Sequence, residues 1–583
     1  MPSQNTLINR QRKVSSRRGY TRLGAANSAL TPIRNSWTWN NSGGKQLPMR
    51  FYDDELEVYL GTIDGQVIDA WTRVLASWNT TEIMRADVWW DATENLDLLL
   101  MIIGDDNVYE WNGAVAAVLS ITGTTVTKKD TTTFAQNRFY TTRNKTLICV
   151  RTRTEYTYTG GETTTTLTGI ADTTGLVAGD ILIQKIVTQS NKPAADRTND
   201  TIFVFENQLC LGSFDDNEIY ISQNDDYDDF AYSTPRIAGE GGLLTLDAPS
   251  SGIKAAGKIL ILFSGRSSVF RAEYTEITVS TTLTETLRVK RLDAGVDQGA
   301  FSPDTITQIS NAIVYLSNEP ALRIIENPDN IGGINPKTLS NPIKPDFDAE
   351  DFTSAQLTWY KNAIHLSSPV NSRLYILEFV EDADGKVRRF WQPPQILPIR
   401  SFSIYNGLLY AGSNSVAETY NLFAEDTYSD INSSDEKIPI QAIAAFSYQS
   451  FGKRSNLKDF DEYAVEGEIS PQTNDLKLTL NYDYGGFTQS VEKIIDGTDS
   501  DILAQTLLAA SLGQQSLAQN PLGGNLDAPT DTSKFRVIFE IAKEAFHEIQ
   551  PIFSTNAEDR FWSIISQGAN VKLSRRIATQ ISK

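Results

Sequence analysis

The sequence predicts an all-β protein: a β-propeller of six to eight blades, with a small inserted β domain and a C-terminal β-rich region. Three observations lead there. Apolar-aromatic runs paired around Gly, Asn, Asp or Ser turns recur along the 583 residues. Their spacing stays close to the length of a four-stranded blade. Only one segment, near the C-terminus, has a convincing helical period.

Residues 1–52 read as a basic N-terminal arm and lead-in. They carry Arg10, Arg12, Lys13, Arg17, Arg18, Arg22, Arg34, Lys45 and Arg50 and no acid, hence +9. The first 24 residues have little apolar content and no helical period, so this arm is expected to become ordered only on a partner. Arg10, Arg12, Lys13, Arg17 and Arg18 are its candidate interaction residues.

Residues 53–436 are expected to form the propeller. Hairpin-like segments begin at VYLGTIDGQVIDAW (58–71), LLLMIIGDDNVYEW (98–111) and RFYTTRNKTLICV (138–150). They continue at LCLGSFDDNEIYIS (209–222), ILILFSGRSSVFRA (259–272), IVYLSNEPALRII (313–325), IHLSSPVNSRLYIL (364–377) and LLYAGSNSVAETYNLF (408–423). The starts lie 40, 40, 71, 50, 54, 51 and 44 residues apart. β-branched and aromatic runs of strand length around turn residues are hairpins, and radial closure of hairpin sheets hides their edges. Unrelated β-sandwiches would show turn signals but no larger period. The one long gap holds a threonine-rich stretch, read as a small inserted β domain at 157–197.

Residues 437–583 are expected to form a separate β-rich domain. In LKLTLNYDYGG (476–486), Leu476, Leu478, Leu480 and Tyr482 alternate with Lys477, Thr479 and Asn481, giving a strand with one wet face. DILAQTLLAASLG (501–513) places Leu503, Leu507, Leu508 and Leu512 along one side of a helix that Gly513 ends.

Composition narrows the function classes. Apolar residues make up 40% and charged residues 21%, a globular balance. No run approaches the length of a membrane span, and the N-terminus lacks the apolar region of a secretory leader. Two Cys cannot staple a fold of this size, and with only His365 and His547 the usual hydrolase and zinc chemistries are poorly supplied. No phosphate-binding loop, nucleophile elbow or zinc motif is present. The run FDDNEIYISQNDDYDDF (214–230) gathers Asp215, Asp216, Glu218, Asp225, Asp226, Asp228 and Asp229, but without a calcium-loop frame these read as solvated hairpin turns. Asp382, Asp384 and Gly385 read the same way, and Cys149, Cys210 and His365 read as core residues. The expectation is a protein that is not an enzyme and has no catalytic, metal or cofactor residues.

RKVSSRRGYTRLG (12–24), NDTIFVFENQLCLGSFDDNEIYISQNDDYDDF (199–230), GKILILFSGRSSVFRAE (257–273) and FGKRSNLKDFDEYAVEGEIS with LTLNYDYGG (451–486) together resemble tail nozzle or hub proteins of short-tailed bacteriophages. The resemblance implies a structural virion protein, assembled in the host cytoplasm, in which six copies form a ring at the tail tip. That ring would lie beneath the adaptor or portal-proximal ring, contact other tail-tip or fibre proteins, close the DNA channel and let genomic DNA pass on infection. With +9 on the first 52 residues, the rest of the chain carries −29. A wall of that sign repels phosphate, where a basic wall would hold DNA by counterion release. The competing expectation is a receptor- or carbohydrate-binding adhesin, with Trp89, Trp90 or Trp391 stacking on sugars.

Overall fold

The computed structural model describes residues 3–8, 14–27, 29–41, 44–75, 78, 82–105, 107–189, 193, 197–233, 239–265, 268–279, 282–291, 299–326, 336–381, 386–424, 427–432, 434–448, 458–469, 476–484, 487–495, 533–546, 548–556 and 562–573. The protein is all-β as expected, and the described helix is confined to short pieces such as Lys344–Asp348. It divides into two compact units: Leu23–Ser372 with Pro398–Thr419, and Met1–Arg22 with Arg373–Leu397 and Tyr420–Lys583.

The larger unit is built from four-stranded antiparallel meanders. The first runs Ile33–Asn40, Gln46–Tyr52, Glu55–Ile63 and Gln66–Leu75, each strand pairing with the next. Three later sheets repeat that order, starting at Thr201–Phe205, Ser250–Ala256 and Ile306–Ile309. The second sheet uses Arg85–Asp91, Leu96–Ile102 and Tyr109–Trp111, and takes its fourth strand, Val187–Thr188, from beyond an insertion. The hairpins Leu357–Tyr360/Ala363–Ser368 and Ile399–Tyr405/Leu408–Ser413 complete the unit.

Tight turns set these registers. Asp64-Gly65, Glu206-Asn207, Lys361-Asn362 and Asn406-Gly407 have positive φ at both positions, the two-residue turn whose twist matches paired strands. Second strands such as ILILFS (259–264) are buried along their whole length, because each has neighbours on both sides and both faces. Such strands lose the polar alternation of a half-exposed sheet. Cys210 lies in the second strand Gln208–Gly212 and His365 in the second strand Ala363–Ser368, both buried.

First strands pack on one another in a closed series. Thr201–Phe205 lies against Arg85–Asp91 and Ser250–Ala256; the latter meets Ile306–Ile309, which meets Leu357–Tyr360. Leu357–Tyr360 then touches Ile399–Tyr405, which packs on Ile33–Asn40. Asn35 Nδ2 closes the series by donating to the Met84 carbonyl at 2.7 Å.

Two expectations about the larger unit change. The first meanders' strands Ile33–Asn40 and Gln46–Tyr52 belong to the sheet rather than to a lead-in, because Trp39, Leu47, Met49 and Phe51 are buried in its core. The insertion also begins earlier than 157. Its six-stranded sheet orders Glu155–Thr157, Thr146–Cys149, Ile181–Gln184, Val115–Thr122, Thr125–Lys128 and Thr166–Leu167 around a core that includes Val126, Phe139, Cys149 and Leu182. The segment 138–150 is therefore part of the insertion. Only its end, Thr146–Cys149, is strand, and no repeat of blade type intervenes between Trp111 and Val187.

In the smaller unit, one sheet orders Thr6–Ile8, Val14–Ser16, Trp562–Leu573, Lys458–Ile469 and Ser533–Phe546. A second orders Ala442–Ala445, Ile549–Thr555, Leu476–Tyr484 and Phe487–Ile495. The two bury a shared core that includes Val14, Tyr463, Val465, Leu478, Phe553 and Trp562. Leu476, Leu478 and Leu480 point into it while Lys477 faces out, as the alternation predicts. The expected helix at 501–513 lies outside the described residues.

Candidate functional site

Arg10, Arg12 and Lys13 lie outside the described residues. The other candidate arm residues are tied to their own chain, which corrects the picture of residues 1–24 as an arm that orders only on a partner. Thr6–Ile8 and Val14–Ser16 are paired strands, and Val14–Ser16 continues onto Trp562–Leu573. Arg17 is 1% exposed, and its guanidinium grips Asp430 through Nη1 at 2.8 Å and Nη2 at 2.5 Å. Its remaining donors reach the Arg18 and Ile396 carbonyls and Asn5 Oδ1. Arg18 is half-buried and also has a partner, and Arg22 meets Asp435 at 2.6 Å. Short strands with few apolar residues hold because buried, bidentate arginine contacts supplement them.

The acidic run is spent on internal geometry. Asp216 accepts from Arg197 Nε at 2.8 Å and from the Glu218 backbone amide. Asp215 accepts from Thr198, Asp225 from Asn207, and Asp229 from Gln223 and the Ala231 amide. These are turn and capping contacts of short acidic side chains.

Between those acids stands Tyr227, whose phenol enters the protein interior. Its hydroxyl donates to Glu110 and accepts from Arg143 Nη1 at 2.6 Å and Gln189 Nε2 at 3.1 Å. Its ring meets Trp89 edge-on at 5.2 Å. Tyr140 donates to the other Glu110 oxygen at 2.9 Å, and Arg143 pairs with Asp91 at 2.8 Å. Burial and the Glu110 charge push both phenols well above the usual tyrosine range. Nearby, burial pushes the Glu94 carboxyl up, but hydrogen bonds from Thr142 and Thr141 outweigh it and hold the group at about 2. Tyr140, Thr141, Thr142 and Arg143 come from the insertion, so both carboxylates fasten it to the second sheet.

A second polar centre lies where the first strands begin. Arg85, at the start of its strand, grips Asp304 in the turn before Ile306–Ile309, with Nη2 at 2.6 Å and Nε at 3.2 Å, and donates to the Asp200 carbonyl. Three first strands carry a bulge at their second residue: Arg34, Ser251 and Arg400 each lack a cross-strand partner. A bulge re-aims a side chain at a strand end. Burial pushes the Arg400 guanidinium down; the Arg34 charge adds to that and Asp304 opposes it, so the three groups share one neighbourhood. Sequence reasoning missed this centre. Its signal is a repeated strand entry, Pro32-Ile33-Arg34-Asn35, Pro249-Ser250-Ser251-Gly252 and Pro398-Ile399-Arg400-Ser401, in which proline precedes each bulge.

Of the tryptophans expected to stack on sugars, Trp89 is buried against Tyr227, Trp391 is half-buried, and Trp90 is exposed. Among the described residues, no three His, Cys, Asp or Glu side chains converge as metal ligands would, and no helix is long and apolar enough to cross a membrane.

No family model and no curated protein matches the chain. Among solved structures it is similar to a computationally designed protein, Ika8, at 7% identity and a TM-score of 0.32, over 69% of this chain and 100% of that one. It is also similar to BBS1N, solved in complex with ARL6DN, at 10% identity and a TM-score of 0.35, over 73% and 98%. Hsv2 of Kluyvelomyces marxianus matches at 8% identity and a TM-score of 0.25, over 62% and 97%. Likenesses this distant carry no argument about function.

Proposed function

We propose that the larger unit is a seven-bladed β-propeller and that the chain is a noncatalytic structural subunit of a bacteriophage tail, a nozzle or hub protein. In this reading several copies, six by resemblance, form a ring at the tail tip that closes the DNA channel and lets the genome pass on infection. What supports a count of seven is the run of seven first strands, neighbours in a series that the Asn35–Met84 hydrogen bond joins end to end.

The observation that carries the reading is the fate of segment 199–230, the longest stretch of the resemblance. Asp215, Asp216, Asp225 and Asp229 are engaged in turns and an ion pair, and Tyr227 is a buried fastener. A motif used this way serves architecture, and the −29 carried beyond residue 52 suits a wall along which DNA slides.

Quantitative mass spectrometry of purified particles tests the assignment. The chain should be present at a fixed number of copies per particle, comparable with other tail proteins. Its absence from particles that package and infect normally would overturn it.

A further inference from the structure

We propose that Arg34 and Arg400, on neighbouring first strands of the larger unit, form a binding site for one phosphate dianion, a site independent of the tail assignment. The sequence repeats a tripeptide to build it. Pro32-Ile33-Arg34 and Pro398-Ile399-Arg400 lead into strands Ile33–Asn40 and Ile399–Tyr405, which pack on each other. In each, the isoleucine is fully buried and the arginine after it occupies a bulge: pairing passes from Ile33 to Asn35 and from Ile399 to Ser401. The extra residue of a bulge leaves the ladder and its side chain is re-aimed. Just past the bulges, Ser36 Oγ and Ser401 Oγ are hydrogen-bonded at 2.8 Å, so the two arginines stand at matching positions on adjoining strands.

Three features define the ligand. First, neither charge is neutralised at close range. Arg85 has Asp304 at 2.6 Å, whereas among the described residues neither Arg34 nor Arg400 has a carboxylate within ion-pair distance. The Arg34 guanidinium donates to the Glu82 backbone carbonyl at 3.3 Å, and the Arg400 guanidinium donates to no described group. Second, the two like charges share one partly buried place. Burial and then the Arg34 charge push the Arg400 guanidinium down, and Asp304, which opposes them, is already held by Arg85. Burial also lowers Arg34, by more than the Asp53 and Glu82 charges restore. Like charges held together out of water are costly until an opposite charge joins them.

Third, the donors left over are forks. Arg400 Nε is shielded from water, so the half-buried group presents Nη1 and Nη2; Arg34 keeps Nη2 and Nε beyond its one bond. A guanidinium fork takes two oxygens of an anion, and a tetrahedral phosphate has oxygens for two forks set at an angle to each other. A carboxylate has one pair of oxygens and one charge, enough for a single arginine. Two unanswered cations therefore select a dianion: inorganic phosphate or the terminal phosphate of a larger molecule, in preference to the singly charged diester of a nucleic-acid backbone.

The test is isothermal titration calorimetry of the full-length protein in low-salt buffer with inorganic phosphate, glycerol 3-phosphate and dimethyl phosphate. Both dianions should bind saturably at one site per chain. Tighter binding of inorganic phosphate marks the free ion as the source; binding of glycerol 3-phosphate at least as tight marks a phosphomonoester. Dimethyl phosphate, a diester with one charge, should bind about tenfold more weakly or worse. Arg400→Gln and Arg34→Gln should each weaken phosphate binding about tenfold or more, the worth of one charge-assisted contact. In phosphate-free buffer the Arg400→Gln protein should melt no lower than the native chain, because it gives up no hydrogen bond. Added phosphate should raise the native melting temperature and leave that of the variant unchanged. No saturable binding of either dianion, dimethyl phosphate binding as tight as phosphate, or phosphate affinity and thermal shift unaltered by Arg400→Gln overturns the proposal. None of these results bears on the presence of the chain in virions.

Discussion

The Arg17 guanidinium closes a two-bond fork on the Asp430 carboxylate, at 2.8 and 2.5 Å, across 413 residues of sequence. Arg17 is 1% exposed, so removing it strands a largely buried carboxylate. Arg17→Met is expected to cost about 3–5 kcal/mol in urea unfolding of the smaller unit, and Arg17→Met with Asp430→Leu to cost less than the single change. A single variant within 1 kcal/mol of the native chain would show that the pair is solvated.

Deleting residues 1–24 removes strands Thr6–Ile8 and Val14–Ser16 and uncovers the edge of Trp562–Leu573. Calorimetry of the isolated, unassembled protein should show a lower melting temperature for the smaller unit's transition and a greater tendency to aggregate, as an uncovered edge strand does. An unchanged melt would restore the reading of this segment as an arm ordered only by partners.

Tyr227 and Glu110 give the third expectation. Tyr227→Phe keeps the ring on Trp89 but removes one of the donors to a buried carboxylate, an expected loss of about 1–3 kcal/mol. In a double-mutant cycle with Glu110→Gln, the two changes should be non-additive by about 1 kcal/mol or more, since both disturb one network. Additive losses would mean the two groups do not interact.

His365 sets a pH dependence. Burial pushes its imidazole down from 6.5 to about 4, with a backbone hydrogen bond at Ala363 opposing. The unfolded chain therefore takes up the proton first: the contribution is complete above about pH 6.5 and is lost as pH falls toward 4. Between pH 6.5 and 5 it amounts to about 1.6 kcal/mol. Burial raises Asp64, Asp87 and Asp200, which acts in the opposite direction, so the slope is read as a difference between proteins. Native protein should lose more stability than His365→Gln over that range in urea titrations; parallel curves would contradict the assignment.

The meander was legible because its causes are local. Two-residue turns such as Asp64-Gly65 and Asn406-Gly407, and apolar second strands such as ILILFS, are written within a few residues. What escaped reading depends on partners far away in sequence. Composition showed a basic N-terminus, but that Arg17 finds Asp430 cannot be read from either neighbourhood. The insertion was placed by its threonines at 157–197, whereas its central strands, Val115–Thr122 and Ile181–Gln184, are apolar and look like blade strands. The polar centre at Arg85 and Asp304 had only the repeated proline entries as a signal, and those gain meaning once the bulges are known.

The most direct measurement is a reconstruction of the tail of intact particles by electron cryomicroscopy. The account predicts a closed ring of copies of this chain around the DNA path at the tail tip, with each copy contributing a seven-bladed propeller. Particles in which that ring is built from another protein, or in which this chain is missing from the tail, would contradict it.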